Sequence, residues 1–229
     1  MHQYEFPRPA LATDIALFAI RDDALHVLLI RRGIDPFKGA WAFPGGFLLE
    51  TETVEQCAHR ELAEETGIGG VELCQIGVYS EPGRDPRGRV ISCAFAGTTA
   101  SDHPETIGGS DAAHAEWLAV EVLLEDENFE MAFDHREVLD DALHALQRDI
   151  DQHIFGLLPE KFSLGTLHRA FELVLGTSVD RRNFAMKLRS ETKKVSRATR
   201  LMDRLEIRDT GEMETGQAHR PGRLYTRAN

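Results

Sequence analysis

Between Gly46 and Ile68 the chain sets Gly46, Glu52, Arg60, Glu61, Leu62, Glu64, Glu65, Gly67 and Ile68 in the order Gly-x5-Glu-x7-Arg-Glu-Leu-x-Glu-Glu-x-Gly-Ile. On a helix turning about 100° per residue, Glu61, Glu64 and Glu65 fall within roughly one 100° arc and bring three carboxylates into one small volume. Like charges that close repel unless cations lie among them, and hard oxygen donors favour Mg²⁺ or Mn²⁺ over zinc. Glu52 is placed to pair with Arg60 and hold the helix against the preceding loop. Gly45 and Gly46 let backbone amides approach a phosphate closely. Thr53 and Gln56 have the spacing of a capping box. An acidic Glu-x-x-Glu-Glu cluster alone equally describes a solvated helix face.

These residues need elements to position them. Branched apolar runs predict strands over 13–20 and 24–30, joined by the turn Arg21-Asp22-Asp23, and further strands over 71–79, 90–95 and 115–120. Helical periodicity covers 53–66 and 134–153; in the second, Val138, Leu139, Ala142, Leu143, Leu146, Ile150 and Ile154 form one stripe, with Asp134 as N-cap. Trp41 and Phe43, beside the glutamate helix, read as core residues rather than stacking platforms. His59 has no assigned role, since none of the histidines shows metal-ligand spacing. Gly156-Leu-Leu-Pro159 breaks the pattern and sets a boundary between domains at 1–155 and 156–229. Beyond it, Ser163 caps a helix with Leu164, Leu167, Phe171, Val174 and Leu175 on one face, and Gly176 ends it. Asp180 caps a second helix over 181–190 that buries Phe184 and Leu188. Strands over 201–208 and 223–225 flank a glycine-rich loop over 210–222. Helix, turn, helix, hairpin is the order of a winged helix-turn-helix.

Composition agrees with two folded domains. The 229 residues are 42 % hydrophobic, too apolar for a disordered chain. No run approaches the roughly 18 apolar residues of a membrane span, and the N-terminus lacks a charged start followed by an apolar core, so the cytosol is the expected compartment and no membrane partner is expected. Cys57, Cys74 and Cys93 form no Cys-x-x-Cys pair and are expected to be reduced and buried. Residues 1–153 hold 11 Lys and Arg against 29 Asp and Glu, a balance of −18, whereas residues 154–229 hold 15 against 9, a balance of +6. An acidic body suits metal-assisted chemistry, and a basic small domain suits a polyanion.

With all nine positions in place, the 46–68 segment resembles the signature box of the Nudix hydrolases, which cleave nucleoside diphosphates linked to another moiety. The resemblance implies an α/β fold: an α/β/α sandwich with a mixed sheet. Glu61, Glu64 and Glu65 would be its metal-binding and catalytic carboxylates, with Arg60 beside them and Mg²⁺ (or Mn²⁺) as cofactor. The general base would be a box glutamate or an acid on a later segment, and Asp102, Glu105, Asp111 and Glu116 stay open for it.

Between two predicted strands, Tyr79-Ser-Glu-Pro-Gly-Arg-Asp-Pro-Arg-Gly-Arg-Val90 concentrates Arg84, Arg87 and Arg89, whose forks can grip phosphates or a ribose edge. The same Asp85-Pro86-Arg87-Gly88 is also a good type I turn. The loop resembles that of Nudix proteins acting on ADP-ribose, with Pro82 about where they carry a proline, which makes ADP-ribose the leading ligand. Arg31 and Arg32 are further phosphate contacts by the same reading, and Gly45 and Gly46 complete the substrate set.

From Pro159 to Leu188 the sequence resembles the DNA-binding part of NrtR, the Nudix-related regulators of NAD metabolism, so that likeness spans essentially the whole chain. It implies a small winged helix-turn-helix domain whose second helix enters the major groove of a double-stranded operator. Arg181, Arg182, Lys187 and Arg189 would meet the DNA, Arg220 would lie in the wing, and Asn183 would serve either the DNA surface or a local cap. Helix-turn-helix geometry further implies a homodimer. The expected protein is a repressor that binds ADP-ribose and hydrolyses it to AMP and ribose 5-phosphate. Two contrasting readings are a pyrophosphatase whose winged domain only dimerises and an ADP-ribose sensor that does not cleave.

Overall fold

The computed structural model describes residues 8–100, 112–126, 128–188, 205–214 and 222–228. Strand β1 (Ala10–Arg21) is buried from Thr13 through Ala19, so both of its faces are covered. Its side chains alternate accordingly. Ile15 and Leu17 join a cluster with Leu62 of helix α1 (Val54–Thr66), while Ala16 and Phe18 join Leu139 and Leu143 of α3 (His135–Arg148). A sheet is thus sandwiched between helices.

That sheet is mixed, as expected. β1 runs parallel to β6 (Val90–Thr98), which pairs with the edge strand β5 (Leu73–Tyr79). On the other side β2 (Ala24–Arg32) is antiparallel to β1 only from Phe18↔Val27 to Arg21↔Ala24. Beyond that the two strands part. The free end of β2 pairs with β3 (Trp41–Ala42), the free end of β1 pairs with β4 (Gly45–Phe47), and β7 (Ala112–Ala119) covers the outside of β2. The opening where β1 and β2 diverge is where the site forms.

A short helix α2 (Val120–Glu125) follows β7. The helix expected over 134–153 divides instead: Asp149, at φ −110° and ψ 32°, leaves helical geometry and separates α3 from α4 (Ile150–His153), after which a 3₁₀ turn spans Ile154–Leu157. Aspartate is a weak helix former, and this one is tied to the Arg148 guanidinium at 2.7 Å.

The C-terminal part contains α5 (Leu164–Leu175), α6 (Arg181–Leu188) and a small sheet ordered β8 (Phe162–Ser163), β10 (Arg223–Arg227), β9 (Ile207–Met213). Ser163 caps α5 by accepting the Thr166 N–H at 3.1 Å, Gly176 stops it at φ 61°, and Asp180 accepts the Asn183 N–H at 2.7 Å. Strand β9 runs past the expected end at 208, through Thr210 to Met213, because Thr210 bonds across to the Leu224 carbonyl at 2.9 Å and Gly211 takes the left-handed turn at φ 76°; residues 201–204 of the expected strand lie outside the described residues. Cysteines 57 and 93 are buried and free, but Cys74, on the edge strand, is only partly covered.

The two parts share a core. Leu139, Leu143 and Leu146 of α3 pack in one cluster with Leu167, Phe171 and Val174 of α5 and Phe184 of α6. Gln147 donates to the Val174 carbonyl at 3.1 Å, and Arg169 forks onto Asp23 in the β1–β2 turn at 2.8 Å. Among the described residues, no helix is long and apolar enough to cross a membrane.

Candidate functional site

Helix α1 starts with the expected capping box: Thr53 accepts the Gln56 N–H, and the Gln56 side chain accepts the Thr53 N–H at 2.9 Å. That fixes where Arg60 points. Its guanidinium forks onto Glu52 at 2.7 and 3.0 Å and also reaches Glu61 at 2.7 Å, Glu64 at 3.1 Å and the Phe47 carbonyl at 3.2 Å. Bonded by Arg60 and by the Leu49 N–H, Glu52 is held at a pKa of about 2. Glu65 accepts the Gly45 N–H at 2.9 Å, which ties the helix to β4. A Cβ on Gly45 would run into the Thr13 backbone carbonyl, so the close approach of β4 to β1 requires glycine there, and one on Gly46 would push the Glu61 carboxylate from its place.

A cleft of about 370 Å³ lies where β1 and β2 part. Glu61, Glu65, Arg60, Gly45 and Gly46 line it together with Arg32, Arg84 and Arg87. Glu64 lies outside that lining, bonded to Arg60 with its side chain 60 % exposed.

The arginines fare differently from one another. Arg87 is forked onto the buried Asp85 at 2.6 and 3.0 Å and lies over the Phe47 and Phe133 rings at 5.0 and 5.7 Å. Arg32 donates to the Pro36 carbonyl and stacks on Phe133 at 4.8 Å; burial and the nearby Arg87 lower its pKa. Arg84 is almost fully buried and spends two of its nitrogens on Asp134 and Asp14. Of the other arginines expected at phosphates, Arg31 stacks on Trp41 at 4.4 Å and bonds the Gly39 carbonyl, Arg89 donates to the Ser80 carbonyl at 2.7 Å, and neither lines the cleft.

The sequence reading missed Asp14, Asp85, Phe133, Asp134 and His135, all in the cleft wall or directly behind it. Asp14 bonds Ser92 at 2.5 Å and His135 at 3.3 Å. His135 Nδ1 accepts the Phe43 N–H at 3.0 Å, so Nε2 carries the proton toward Asp14. Burial works against the Asp14 charge, but His135, Ser92 and Arg84 outweigh it and hold the carboxyl at about 2. A usable signal was there: one acid inside an otherwise apolar strand. Asp134 does stand just before α3, but its side chain makes no cap bond, because both oxygens face Arg84. Phe133 has φ 56°, a costly conformation for a bulky residue, and its ring takes both the half-buried Arg32 and the exposed Arg87. Trp41 and Phe43 are core residues, as expected, 8 % and 1 % exposed.

Of the other acids weighed for the general base, Glu116 pairs with His114 on β7 at 3.0 Å and does not line the cleft. Asp102, Glu105 and Asp111 lie outside the described residues. On α6, Arg181, Arg182 and Asn183 are exposed while Phe184 packs on Phe171 at 5.4 Å; Asn183 gives its N–H to the Asp180 cap. Arg189 and Arg220 lie outside the described residues, as does the side chain of Lys187.

Residues 11–142 match the NUDIX domain family, and residues 154–226 match the NrtR DNA-binding winged helix domain. The chain is a Nudix protein of the NrtR type. It is 32 % identical to the ADPR responsive transcriptional repressor NtrR of Acinetobacter baylyi, over 80 % of this chain and 74 % of that protein. The ADP-ribose pyrophosphatase of Methanocaldococcus jannaschii is 41 % identical over 59 % of this chain and 73 % of its own. Shewanella oneidensis NrtR, crystallised with a 27mer DNA, superposes with a TM-score of 0.77 at 26 % identity, covering 95 % of this chain and 93 % of that one. Its NUDIX domain crystallised with ADP ribose superposes with a TM-score of 0.56 at 30 % identity, covering 62 % and 90 %.

Nudix hydrolases in general use a divalent metal such as Mg²⁺, and the donor set here suits one. Glu52, Glu61 and Glu64 share one guanidinium, so three carboxylates stand on a single positive charge and present hard oxygens. Burial raises the Glu61 pKa, the Arg60 guanidinium works against that rise, and Glu64 and Glu52 add to it. Even so, no set of three His, Cys, Asp or Glu side chains converges in ligating geometry among the described residues.

Proposed function

We propose that this Nudix chain is an ADP-ribose-responsive repressor whose cleft binds ADP-ribose and, with Mg²⁺, hydrolyses it to AMP and ribose 5-phosphate. The observation that carries the reading is the two-signed cleft, lined by Glu61 and Glu65 and by Arg32, Arg84 and Arg87, in a domain that shares its core with a winged helix. The likeness to an ADPR responsive repressor, to a NUDIX domain bound to ADP ribose and to an NrtR bound to DNA supports it.

Glu61, Glu64 and Glu65 would hold the cation, with Arg60 fixing Glu61 and Glu64 and the Gly45 N–H fixing Glu65. When bound there it would supply charge neutralisation at the diphosphate and a lowered pKa for the attacking water. Arg32 and Arg87, both stacked on Phe133, take the diphosphate, and exposed Ile34, Phe47 and Leu49 at the rim give a base or ribose an apolar seat. Residues 1–155 form the ligand domain and 156–229 the DNA domain. There Arg181, Arg182, Lys187 and Arg189 meet the groove, Arg220 the flanking backbone, and two copies read two half-sites.

Fluorescence anisotropy on a duplex from upstream of the chain's own gene, at several salt concentrations, tests this. Binding should weaken steeply with salt and be released by ADP-ribose; no salt-sensitive, ligand-released complex would sink the repressor reading. Sedimentation should give a dimer. A second reading, a sensor that binds without cleaving, is favoured by the Arg60 ion pairs that already engage Glu61 and Glu64. Absence of AMP after incubation with ADP-ribose and Mg²⁺, despite ligand-induced thermal stabilisation, would select it.

A further inference from the structure

We infer that Asp134 is a positioning residue: it holds Arg84 so that one edge of the guanidinium, at Nη1, is turned toward the diphosphate in the cleft. The inference rests on the reading of the cleft as an ADP-ribose site. Only 4 % of the Arg84 side chain is exposed. Its Nε and Nη2 donate fork to fork onto Asp134 at 2.7 and 2.6 Å, and Nη2 also lies 3.4 Å from Asp14. Among the described residues Nη1 carries no hydrogen bond, yet Arg84 helps to line the cleft. A guanidinium brought this far out of water needs its donors satisfied, and the side open to the cleft is where a ligand oxygen can satisfy the last pair.

The framing of Arg84 points the same way. Asp14 on β1 is itself fixed by Ser92 on β6 and by His135 on α3, so three elements hold the group in place. Asp134 stands at the N-cap position of α3 and forgoes the cap bond to make the fork. Two carboxylates more than balance one guanidinium, so Arg84 offers an anion an aimed pair of N–H groups rather than net charge. Direction is then its contribution, and the residue that sets direction is Asp134.

A double-mutant cycle on the full chain tests this, with ADP-ribose affinity measured by calorimetry in Ca²⁺ in place of Mg²⁺ to suppress turnover. D134N should bind ADP-ribose at least tenfold more weakly, and R84Q should lose a similar factor. The R84Q/D134N double variant should lose no more than R84Q alone, because Asp134 acts through Arg84. Ligand-free melting temperatures establish that each variant folds. Should D134N fail to fold, D134E, which keeps the charge and moves the fork by one methylene, takes its place with the same expected loss. Wild-type affinity in the variant, or losses that multiply in the double variant, would overturn the inference while leaving the cleft assignment standing. No ADP-ribose binding by the wild-type chain would overturn both.

Discussion

Asp14 is the residue most at odds with its surroundings, a carboxylate within seven consecutive buried positions. Its pKa is lowered from 3.8 to about 2 in the folded chain, so it binds its proton less readily folded than unfolded. The stability it contributes is present above about pH 4 and is lost as the pH falls toward 2. Thermal melts over that interval should show a falling Tm for the wild-type chain, and Asp14→Asn should flatten the slope while lowering Tm at pH 7. An unchanged slope would mean that Asp14 is not held by these partners. At the glutamates, Glu61→Gln and Glu65→Gln should each cut Mg²⁺-dependent AMP formation by about 100-fold or more while circular dichroism stays native. Turnover at the wild-type rate would remove them from the site.

At the scale of elements, α1 and β4 work as a single clamp around the site. Thr53→Ala removes the cap that sets where α1 begins and should cost about 1 kcal/mol in urea unfolding. Gly45→Ala should be far worse than an ordinary Gly→Ala change, because its Cβ meets the backbone carbonyl of Thr13 rather than a movable side chain. The expected outcome is a lower Tm together with weakened ADP-ribose binding, since β4 can then no longer lie against β1. A Gly45→Ala chain with wild-type melting and binding would contradict the packing described.

For the whole molecule, the shared core decides how the two parts respond together. Phe171→Ala, in the small domain but in the common cluster, should destabilise by about 3–5 kcal/mol, and calorimetry should show a single unfolding transition for wild type and variant alike. Two separated transitions would mean that the parts melt independently. The Arg169–Asp23 pair is exposed, so Asp23→Asn, which removes the charge but tolerates the left-handed turn position at φ 59°, should leave Tm nearly unchanged. On DNA, Arg182→Ala should weaken binding and reduce the slope of log affinity against log salt by about 1, if the residue meets a phosphate.

Local rules made much of this readable from residue order alone. The Thr53 and Ser163 caps, the Gly176 stop and the Glu52–Arg60 pairing depend on residues close in sequence, so spacing was enough. The acidic and basic halves likewise follow from composition, and the nine-position box named its family through its own residues. Tertiary structure alone decided the arginine lining of the cleft. Asp14, Arg84 and Asp134 meet from positions 14, 84 and 134, and nothing local to Arg84 separates a guanidinium anchored along one edge by internal carboxylates from the half-exposed one of Arg87. Nor could order show that Asp134 gives up its cap, or that Arg31 and Arg89 turn to nearby carbonyls. Each of those outcomes is a competition among hydrogen-bond partners, and the winners are brought within reach only when the sheet closes between its helices.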